Sequence, residues 1–191
     1  MFSAKDVMTL REMSGAGMMD CKKALTQCNG DMEKAMDYLR EKSLAASAKK
    51  ASRIAAEGIV GGYVSEDGKT GVIVEVNCET DFVAKTDDFK ALVDSIAKLV
   101  AEKNPADVEA LMALDTGDGT VAELITRAVA KIGEKITIRR FACSSVENGL
   151  VDTYVHLGGK IGVLVEMSAA DAAAAKPVAH DIAMHIAAAK P

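Results

Sequence analysis

The residues best suited to chemistry lie in one short segment, residues 77–84, with the sequence NCETDFVA. Glu79 and Asp81 are two residues apart and could act as paired carboxylates in acid–base chemistry or in binding Mg²⁺. Thr80 or Asp81 could instead cap a following helix. Phe82 beside Asp81 indicates a third role, an aromatic wedge with a polar head that enters a pocket on a partner protein. Composition alone favours capping first and the wedge second.

No other segment has the spacing of a nucleotide or metal site. Residues 15–17 (GAG) and 158–160 (GGK) fail the P-loop pattern, and the second is followed by Ile161 where a hydroxyl residue would hold Mg²⁺. His180 and His185 lie about 140° apart around a helix, so they cannot share a metal ion. The four cysteines include no C-x-x-C pair. The sequence predicts no catalytic residue, no bound metal and no cofactor.

Length and composition exclude several classes of protein. The 191 residues can form one large domain or two small ones, and 49% hydrophobic residues exclude a disordered chain. Aromatic residues make up only 4%, which argues against stacking of nucleic-acid bases, and the net charge of −5 gives no general attraction to nucleic acid or anionic lipid. The sequence shows neither a signal peptide nor a membrane-spanning stretch. These features predict a cytoplasmic protein with reduced thiols that binds no nucleic acid directly and no membrane.

The first 43 residues predict three short helices. Ser3 is expected to cap the first helix, residues 14–17 (SGAG) to end it, and Asp31 to cap the third. Adjacent Met18 and Met19 cannot both face one core, so at least one is expected at the surface. The apolar stripes predicted for the three helices are Val7, Leu10 and Met13; Met18, Cys21, Leu25 and Cys28; and Met32, Ala35, Met36 and Leu39.

The composition changes to Ala, Ser and Lys between residues 43 and 57, which predicts a solvated connecting helix or linker. Lys49, Lys50 and Arg53 in this segment could form a nucleic-acid patch. A plain charged helix face is the favoured interpretation, because such runs are usually solvated.

The remaining residues predict a mixture of strands and helices. Residues 59–64 and 72–77 flank an Asp67–Gly68 turn signal and predict a hairpin, and Thr120 with Glu123 predicts a capping box. One buried helical stripe is predicted at Phe89, Leu92, Val93, Ile96, Ala97 and Val100, and another in the last helix at Val178, Ile182, Ile186 and Ala189. Further strands are predicted at residues 136–142, 150–156 and 161–167. This order predicts an α+β fold with an antiparallel sheet and helices on one face.

Two long motifs give the sequence a specific resemblance. Residues 10–25 (LREMSGAGMMDCKKAL) and 75–84 (EVNCETDFVA) resemble the two signatures of the bacterial elongation factor Ts family. Residues 131–134 (KIGE), together with His156 and residues 158–164 (GGKIGVL), are similar to later segments of that family. Two signatures of ten or more residues in this order are highly specific, and the resemblance covers the whole chain.

The resemblance implies a domain organisation. It implies a three-helix domain with its linker helix at residues 1–55, similar to ubiquitin-associated domains, followed by a first core subdomain at residues 56–147. Residues 148–191 then resemble the start of a second subdomain that long-form members continue further. We therefore expect this last part to have an exposed apolar face and lower stability. Because short-form members dimerise, self-association is also compatible with the resemblance.

The resemblance also implies a function. Members of the family promote exchange of guanine nucleotide on the translational GTPase elongation factor Tu. The chain is therefore expected to be an exchange factor and not an enzyme. Its expected partner is elongation factor Tu in the GDP-bound and nucleotide-free states. By analogy, Asp81 and Phe82 intrude beside the partner's Mg²⁺ site, with Thr80 and Val83 framing them. This role replaces capping as the first interpretation of Asp81 and Phe82. Other implied contact residues are Arg11, Met18, Met19 and Lys22 in the N-terminal domain, and Ile132, Gly133 and His156 in the core.

Two other functions compete with nucleotide exchange. The three-helix domain could belong to an adaptor of the ubiquitin-associated type, in which residues 1–55 suffice for binding and Asp81 and Phe82 are dispensable. Alternatively, Glu79, Asp81 and His156 could serve a small hydrolase, which predicts a cleft with a perturbed acid.

Overall fold

The computed structural model describes residues 2–190, which divide into two compact units. Unit 1 comprises residues 2–54 and 115–136, and unit 2 comprises residues 55–114 and 137–190. The predicted division at residues 55 and 147 stays a prediction, and its terminal residues, Met1 and Pro191, lie outside the described residues. The elements are α1 (Ala4–Ser14), α2 (Met18–Gln27), α3 (Met32–Lys50), β1 (Glu57–Val64), β2 (Thr70–Cys78), α4 (Asp81–Ala84), α5 (Asp87–Lys103), α6 (Val108–Ala113), α7 (Val121–Ile132), β3 (Thr137–Ser145), β4 (Leu150–His156), β5 (Ile161–Met167) and α8 (Ala172–Ala189).

The first three helices of unit 1 form as their capping residues predict. Ser3 and Asp6 form a capping box at α1, and the Asp31 side chain accepts a hydrogen bond from the Lys34 backbone N–H at α3. The helices fit the arrangement of ubiquitin-associated domains, and they enclose a small core of Val7, Leu10, Cys21, Ala24, Leu25, Ala35 and Leu39. The expectation for Met13 is wrong, because this side chain is 52% exposed in the last turn of α1. Helix α3 continues to Lys50, so it includes residues 43–50 of the predicted connecting segment.

Helix α7 completes unit 1 by packing against α3. The predicted capping box of Thr120 and Glu123 is confirmed at its first turn, and Glu123 also forms an ion pair with Arg40 of α3. After α7, the Lys135 Nζ donates hydrogen bonds to the carbonyl oxygens of Ala51 and Arg53, at 2.7 and 2.9 Å. Contacts near both ends of α7 therefore tie it to α3 and to the residues that follow α3.

The larger sheet of unit 2 has the antiparallel order β1-β2-β3, and the predicted hairpin is confirmed as β1 and β2. Strand β2 lies in the centre, and its side chains Val72, Val74 and Val76 are fully buried. Helix α5 packs against β1 and β2, and all six residues of its predicted stripe are buried. The side-chain period of two in the strand and 3.6 in the helix therefore direct both elements into one core.

The smaller sheet pairs β4 with β5, and both strands have the predicted bounds. The α+β fold class is confirmed, with the strands divided between two antiparallel sheets. Helix α8 packs against β4 and β5, but not through the predicted stripe. Val178, Ile182 and Ile186 are 52%, 39% and 36% exposed, while Ala179, Ala183 and Ala187 are buried. The small alanines fit because the facing sheet already carries the bulky side chains of Tyr154, Ile161, Val163 and Val165.

Glycine residues allow the two sheets of unit 2 to touch. The Val60 backbone N–H donates a hydrogen bond of 2.7 Å to the carbonyl oxygen of Gly159, in the turn between β4 and β5. A Cβ atom at Gly159 would lie 2.5 Å from the Cβ of Ile59, closer than real side chains approach. Gly159 also has a φ of +96°, in the left-handed region that favours glycine. This contact therefore requires glycine for two separate reasons.

We predict that Gly159→Ala destabilises the protein by about 2–4 kcal/mol, because backbone strain and the clash with Ile59 act together. Gly158→Ala is the matched control, since Gly158 also has a positive φ (+64°) but open space around its Cα. Backbone strain alone should cost this variant about 1 kcal/mol. Urea denaturation of both variants measures the difference, and equal midpoints would contradict the proposed close contact.

Candidate functional site

The segment predicted to carry chemistry begins with the last two residues of β2 and leads towards α5. Strand β2 is hydrogen-bonded to a strand on each side. The Thr80 Oγ1 accepts a hydrogen bond of 3.3 Å from the Val83 backbone N–H, and Thr80 is the N-cap of the short helix α4. The Cys78 thiol donates to the Thr80 carbonyl oxygen at 3.2 Å. The capping function therefore belongs to Thr80, which leaves Asp81 and Phe82 in the first turn of α4.

Phe82 is the most exposed aromatic side chain described, with 80% of its surface in solvent. Val83 is half-buried and Ala84 is buried, so α4 rests on the core through its last residues. An exposed phenyl ring gains about 1.5–3 kcal/mol when it is transferred into an apolar pocket. The arrangement of α4 thus presents an apolar anchor on a fixed support.

The carboxylate of Asp81 is held by a lysine one turn later in the chain. The Lys85 Nζ donates a hydrogen bond of 2.6 Å to Asp81 Oδ2. This hydrogen bond and the positive charges of Lys85 and Lys160 lower the pKa of Asp81 below its ordinary value. Lys160 in turn donates to Glu57 Oε2 at 2.5 Å, and that bond raises the pKa of Lys160. Asp81 is therefore firmly ionised at neutral pH.

These charges do not suit the hydrolase alternative. A general acid working near neutral pH needs a raised pKa, whereas the pKa of Asp81 is lowered. Among residues 2–190, no group of three His, Cys, Asp or Glu side chains is placed to hold a metal ion. Glu79 is half-buried beside Thr80. The segment is better suited to contacting another molecule than to acid–base chemistry.

His156 ends strand β4, where its Nδ1 lies 2.9 Å from the hydroxyl oxygen of Tyr154. The two rings are stacked, with centroids 5.7 Å apart and planes inclined by 30°. His156 is half-buried, so part of its ring is accessible to solvent. The structure therefore places this predicted contact residue at a strand end with its ring held on one side.

The contact residues predicted in the first three helices of unit 1 are exposed near helix ends. Met18 and Met19 are 43% and 74% exposed in the first turn of α2, and Lys22 follows Met18 by one turn. Arg11 is exposed in the last turn of α1. Together these four side chains offer flexible apolar groups beside cationic ones, a composition suited to a protein partner.

The two remaining predicted residues lie at the end of α7. Ile132 is half-buried, and Gly133 terminates the helix with a φ of +88° and open space around its Cα. The chain can therefore turn sharply here and expose its backbone.

Unit 1 also contains a cavity of about 360 Å³ between residues 13–17, α3 and α7. The charged residues at its rim include Asp20, Arg40 and Glu123, and each of these forms an ion pair within the unit. The lining as a whole carries four acidic and four basic side chains, so it offers no net charge to a ligand.

Sequence reasoning missed two residues that hold the candidate site, Lys85 and Tyr154. Lys85 could have been found, because an acid and a base four residues apart face each other on a helix. Tyr154 and His156 are two residues apart on one strand and therefore share a face. The residue types alone do not indicate a hydrogen bond between them.

We predict that Lys85→Met raises the pKa of Asp81, because it removes the hydrogen bond and a nearby positive charge. The rise should be incomplete, since Lys160 remains close enough to act on Asp81. Carboxyl ¹³C titration by NMR measures the change. Lys98→Met is the control, because Lys98 pairs with Glu102 instead. An unaltered pKa in Lys85→Met would show that the ion pair does not form in solution.

Comparison with known proteins identifies the family. A sequence model of the family described as Elongation factor TS matches residues 79–191. Elongation factor Ts of Clostridium perfringens (strain SM101 / Type A) is 58% identical over 194 residues, and that of Clostridium botulinum (strain Alaska E43 / Type E3) is 52% identical over 193. Each alignment covers 100% of this chain and 64% of the relative.

A third relative covers slightly less of the chain. Elongation factor Ts of Clostridium tetani is 55% identical over 170 residues, which are 87% of this chain and 56% of that protein. The chain thus spans less than two thirds of the length of these relatives. No helix within residues 2–190 has the length and hydropathy to cross a membrane. The match to the family over more than half of its residues shows that the chain belongs to the elongation factor Ts family.

Proposed function

We propose that this chain is a guanine-nucleotide exchange factor for elongation factor Tu, the GTPase of translation elongation. In this proposal it promotes release of GDP by disturbing the Mg²⁺ and phosphate site of its partner. The observation that carries the proposal is the 80% exposure of Phe82, fixed beside an ionised Asp81 at the end of a central strand. The setting is protein synthesis in the cytoplasm.

The proposed mechanism uses Phe82 as a wedge and Asp81 as its charged neighbour. Mg²⁺ holds a bound nucleotide by bridging its phosphate oxygens within a nearly octahedral set of ligands. Phe82 inserted beside such a site would displace groups that hold the ion, and Asp81 nearby would compete with those that remain. Either effect weakens the hold on GDP. Thr80 and Val83 support the wedge, because their hydrogen bond fixes the first turn of α4.

The ion pair of Asp81 with Lys85 suits this role. The two side chains are 46% and 72% exposed, and exposed pairs contribute little to stability because water screens them. The pair can therefore hold the Asp81 carboxylate in the free protein, and Asp81 can leave Lys85 for new contacts in a complex. Lys85 would then hold the Asp81 carboxylate in one position until the partner arrives.

Binding and exchange are linked by thermodynamics. If the chain weakens GDP binding by a given factor, GDP weakens the chain's binding by the same factor. The chain should therefore bind the nucleotide-free partner more tightly than the GDP-bound one. This mechanism requires no nucleotide site and no catalytic residue in the chain itself.

The other predicted contact residues would contribute mainly affinity. Met18 and Met19 supply polarisable apolar groups that adapt to a partner surface, while Arg11 and Lys22 supply charge at their rim. Ile132 and Gly133 are further proposed contact residues in unit 1, and His156 is one in unit 2. Self-association stays an expectation from the family resemblance.

We predict that replacing Asp81→Ala and Phe82→Ala together lowers the acceleration of GDP release by at least about tenfold, because a buried aromatic anchor commonly dominates an interface. Release of a fluorescent GDP analogue from elongation factor Tu measures the effect. The double variant should remain folded, since Phe82 is exposed and Thr80 still caps α4.

Val178→Ala is the control for this experiment, because Val178 is an exposed apolar residue of α8 outside the proposed contacts. Its activity should equal that of the unchanged chain. Full activity of the double variant would refute the wedge. Retained binding without any acceleration, in the unchanged chain as well, would favour the adaptor function, for which Asp81 and Phe82 are dispensable.

We also predict that Met19→Ala raises the concentration needed for half-maximal acceleration by about five- to thirtyfold, through loss of an apolar contact. The release rate at saturation should change much less, because Met19 is not part of the wedge. Met8→Ala is the matched control, since Met8 is 54% exposed on α1 and outside the proposed surface. Equal behaviour of the two methionine variants would remove Met19 from the interface.

A further inference from the structure

We propose that Tyr154 is a positioning residue that fixes the ring of His156 for contact with the partner GTPase. This inference rests on the proposed function. It adds a residue that lies behind the contact surface and acts through another side chain.

The geometry of the two rings restricts His156. A histidine ring has a broad, roughly two-fold torsion about its last side-chain bond, so an unrestrained ring samples several orientations. Here the hydroxyl oxygen of Tyr154 lies 2.9 Å from Nδ1, and the rings stack with centroids 5.7 Å apart. A hydrogen bond and a stacking contact from the same neighbour leave one favoured orientation. Since Nδ1 is engaged, Nε2 is the ring nitrogen available to a partner.

Tyr154 is itself held firmly enough to act as a support. It is a half-buried residue of β4 and packs against the cluster of Val163, Val165, Ala183 and Ala187. The ring of His180 approaches its edge at a centroid distance of 5.6 Å and an angle of 90°. The His180 Nδ1 lies 2.9 Å from the carboxylate of Asp152, a residue only 8% exposed.

These contacts form a continuous chain from Asp152 through His180 and Tyr154 to His156. It begins at a buried carboxylate on β4, passes through α8 and ends at the exposed end of β4. Each step is a hydrogen bond or a ring contact, so the position of His156 depends on the docking of α8. The aromatic body of Tyr154 serves the packing, whereas its hydroxyl group serves His156.

The division of roles within Tyr154 gives a clean test. Tyr154→Phe removes the hydroxyl and keeps the ring, so the packing against α8 should persist. The full chain carrying this variant is assayed for release of a fluorescent GDP analogue from elongation factor Tu. We expect acceleration at subsaturating concentration to fall about two- to tenfold, the effect of losing one hydrogen bond. In a His156→Ala background, Tyr154→Phe should have no further effect.

A spectroscopic readout separates positioning from stability. The ¹⁵N chemical shifts of the His156 ring report which nitrogen carries the proton and whether Nδ1 is hydrogen-bonded. They should change in Tyr154→Phe at constant pH. Tyr63→Phe is the matched control, since Tyr63 lies on β1 of the same unit, and it should leave both the His156 shifts and the release rate unaltered.

Two results would overturn the proposal. One is a set of His156 shifts that does not respond to Tyr154→Phe, and the other is an effect of Tyr154→Phe on release that persists in full without His156. If the unchanged chain fails to accelerate GDP release, the proposed function itself fails. The ring shifts then decide alone, with altered shifts upholding the support of His156 by Tyr154 and unaltered shifts refuting it.

Discussion

The packing of α5 on the central strand β2 is the constraint on which the candidate site depends. The valines of β2 and the stripe of α5 are buried together, and β2 is hydrogen-bonded on both sides. Residues 79–86 connect these two elements, so both ends of the connection are anchored in the core. The backbone of Phe82 can therefore be held in place while its side chain stays exposed. The core fixes where the segment lies, and the short helix α4 determines that Phe82 faces solvent.

The two units suit different parts of an interaction. In unit 2, a ring and a carboxylate with a lowered pKa lie on a short, capped turn, where a small set of groups can reach into a site. In unit 1, flexible methionines at the start of α2 offer area without a fixed shape. Groups on a fixed backbone turn suit the displacement of ligands, and an adaptable surface suits affinity. The chemistry of each surface thus matches its proposed role.

Much of the fold follows from local patterns, and its departures have physical reasons. The buried stripe of α5 and the bounds of β4 and β5 are predictable, because the spacing of apolar residues in a periodic segment indicates which face is buried. In α8 the pattern misleads, since hydropathy ranks Val178 above Ala179 whereas the facing sheet accepts only the smaller residue. Helices α4 and α6 have four and six residues, too few for a period to be visible. The roles of Lys85 and Tyr154 depend on rotamers and hydrogen bonds that residue types do not specify.

Unit 1 is assembled from two separated stretches of chain, and this order bears on synthesis. Translation proceeds at about 5–20 residues per second, so α7 emerges several seconds after α3. During that interval the face of α3 that later packs against α7 is without its partner, while residues 55–114 are being made. Closing so long a loop costs only slightly more entropy than closing a shorter one. The order of synthesis therefore affects when unit 1 forms more than how stable it is. A nascent chain halted before residue 121 would expose to chaperones a face of α3 that packs against α7 in the finished protein.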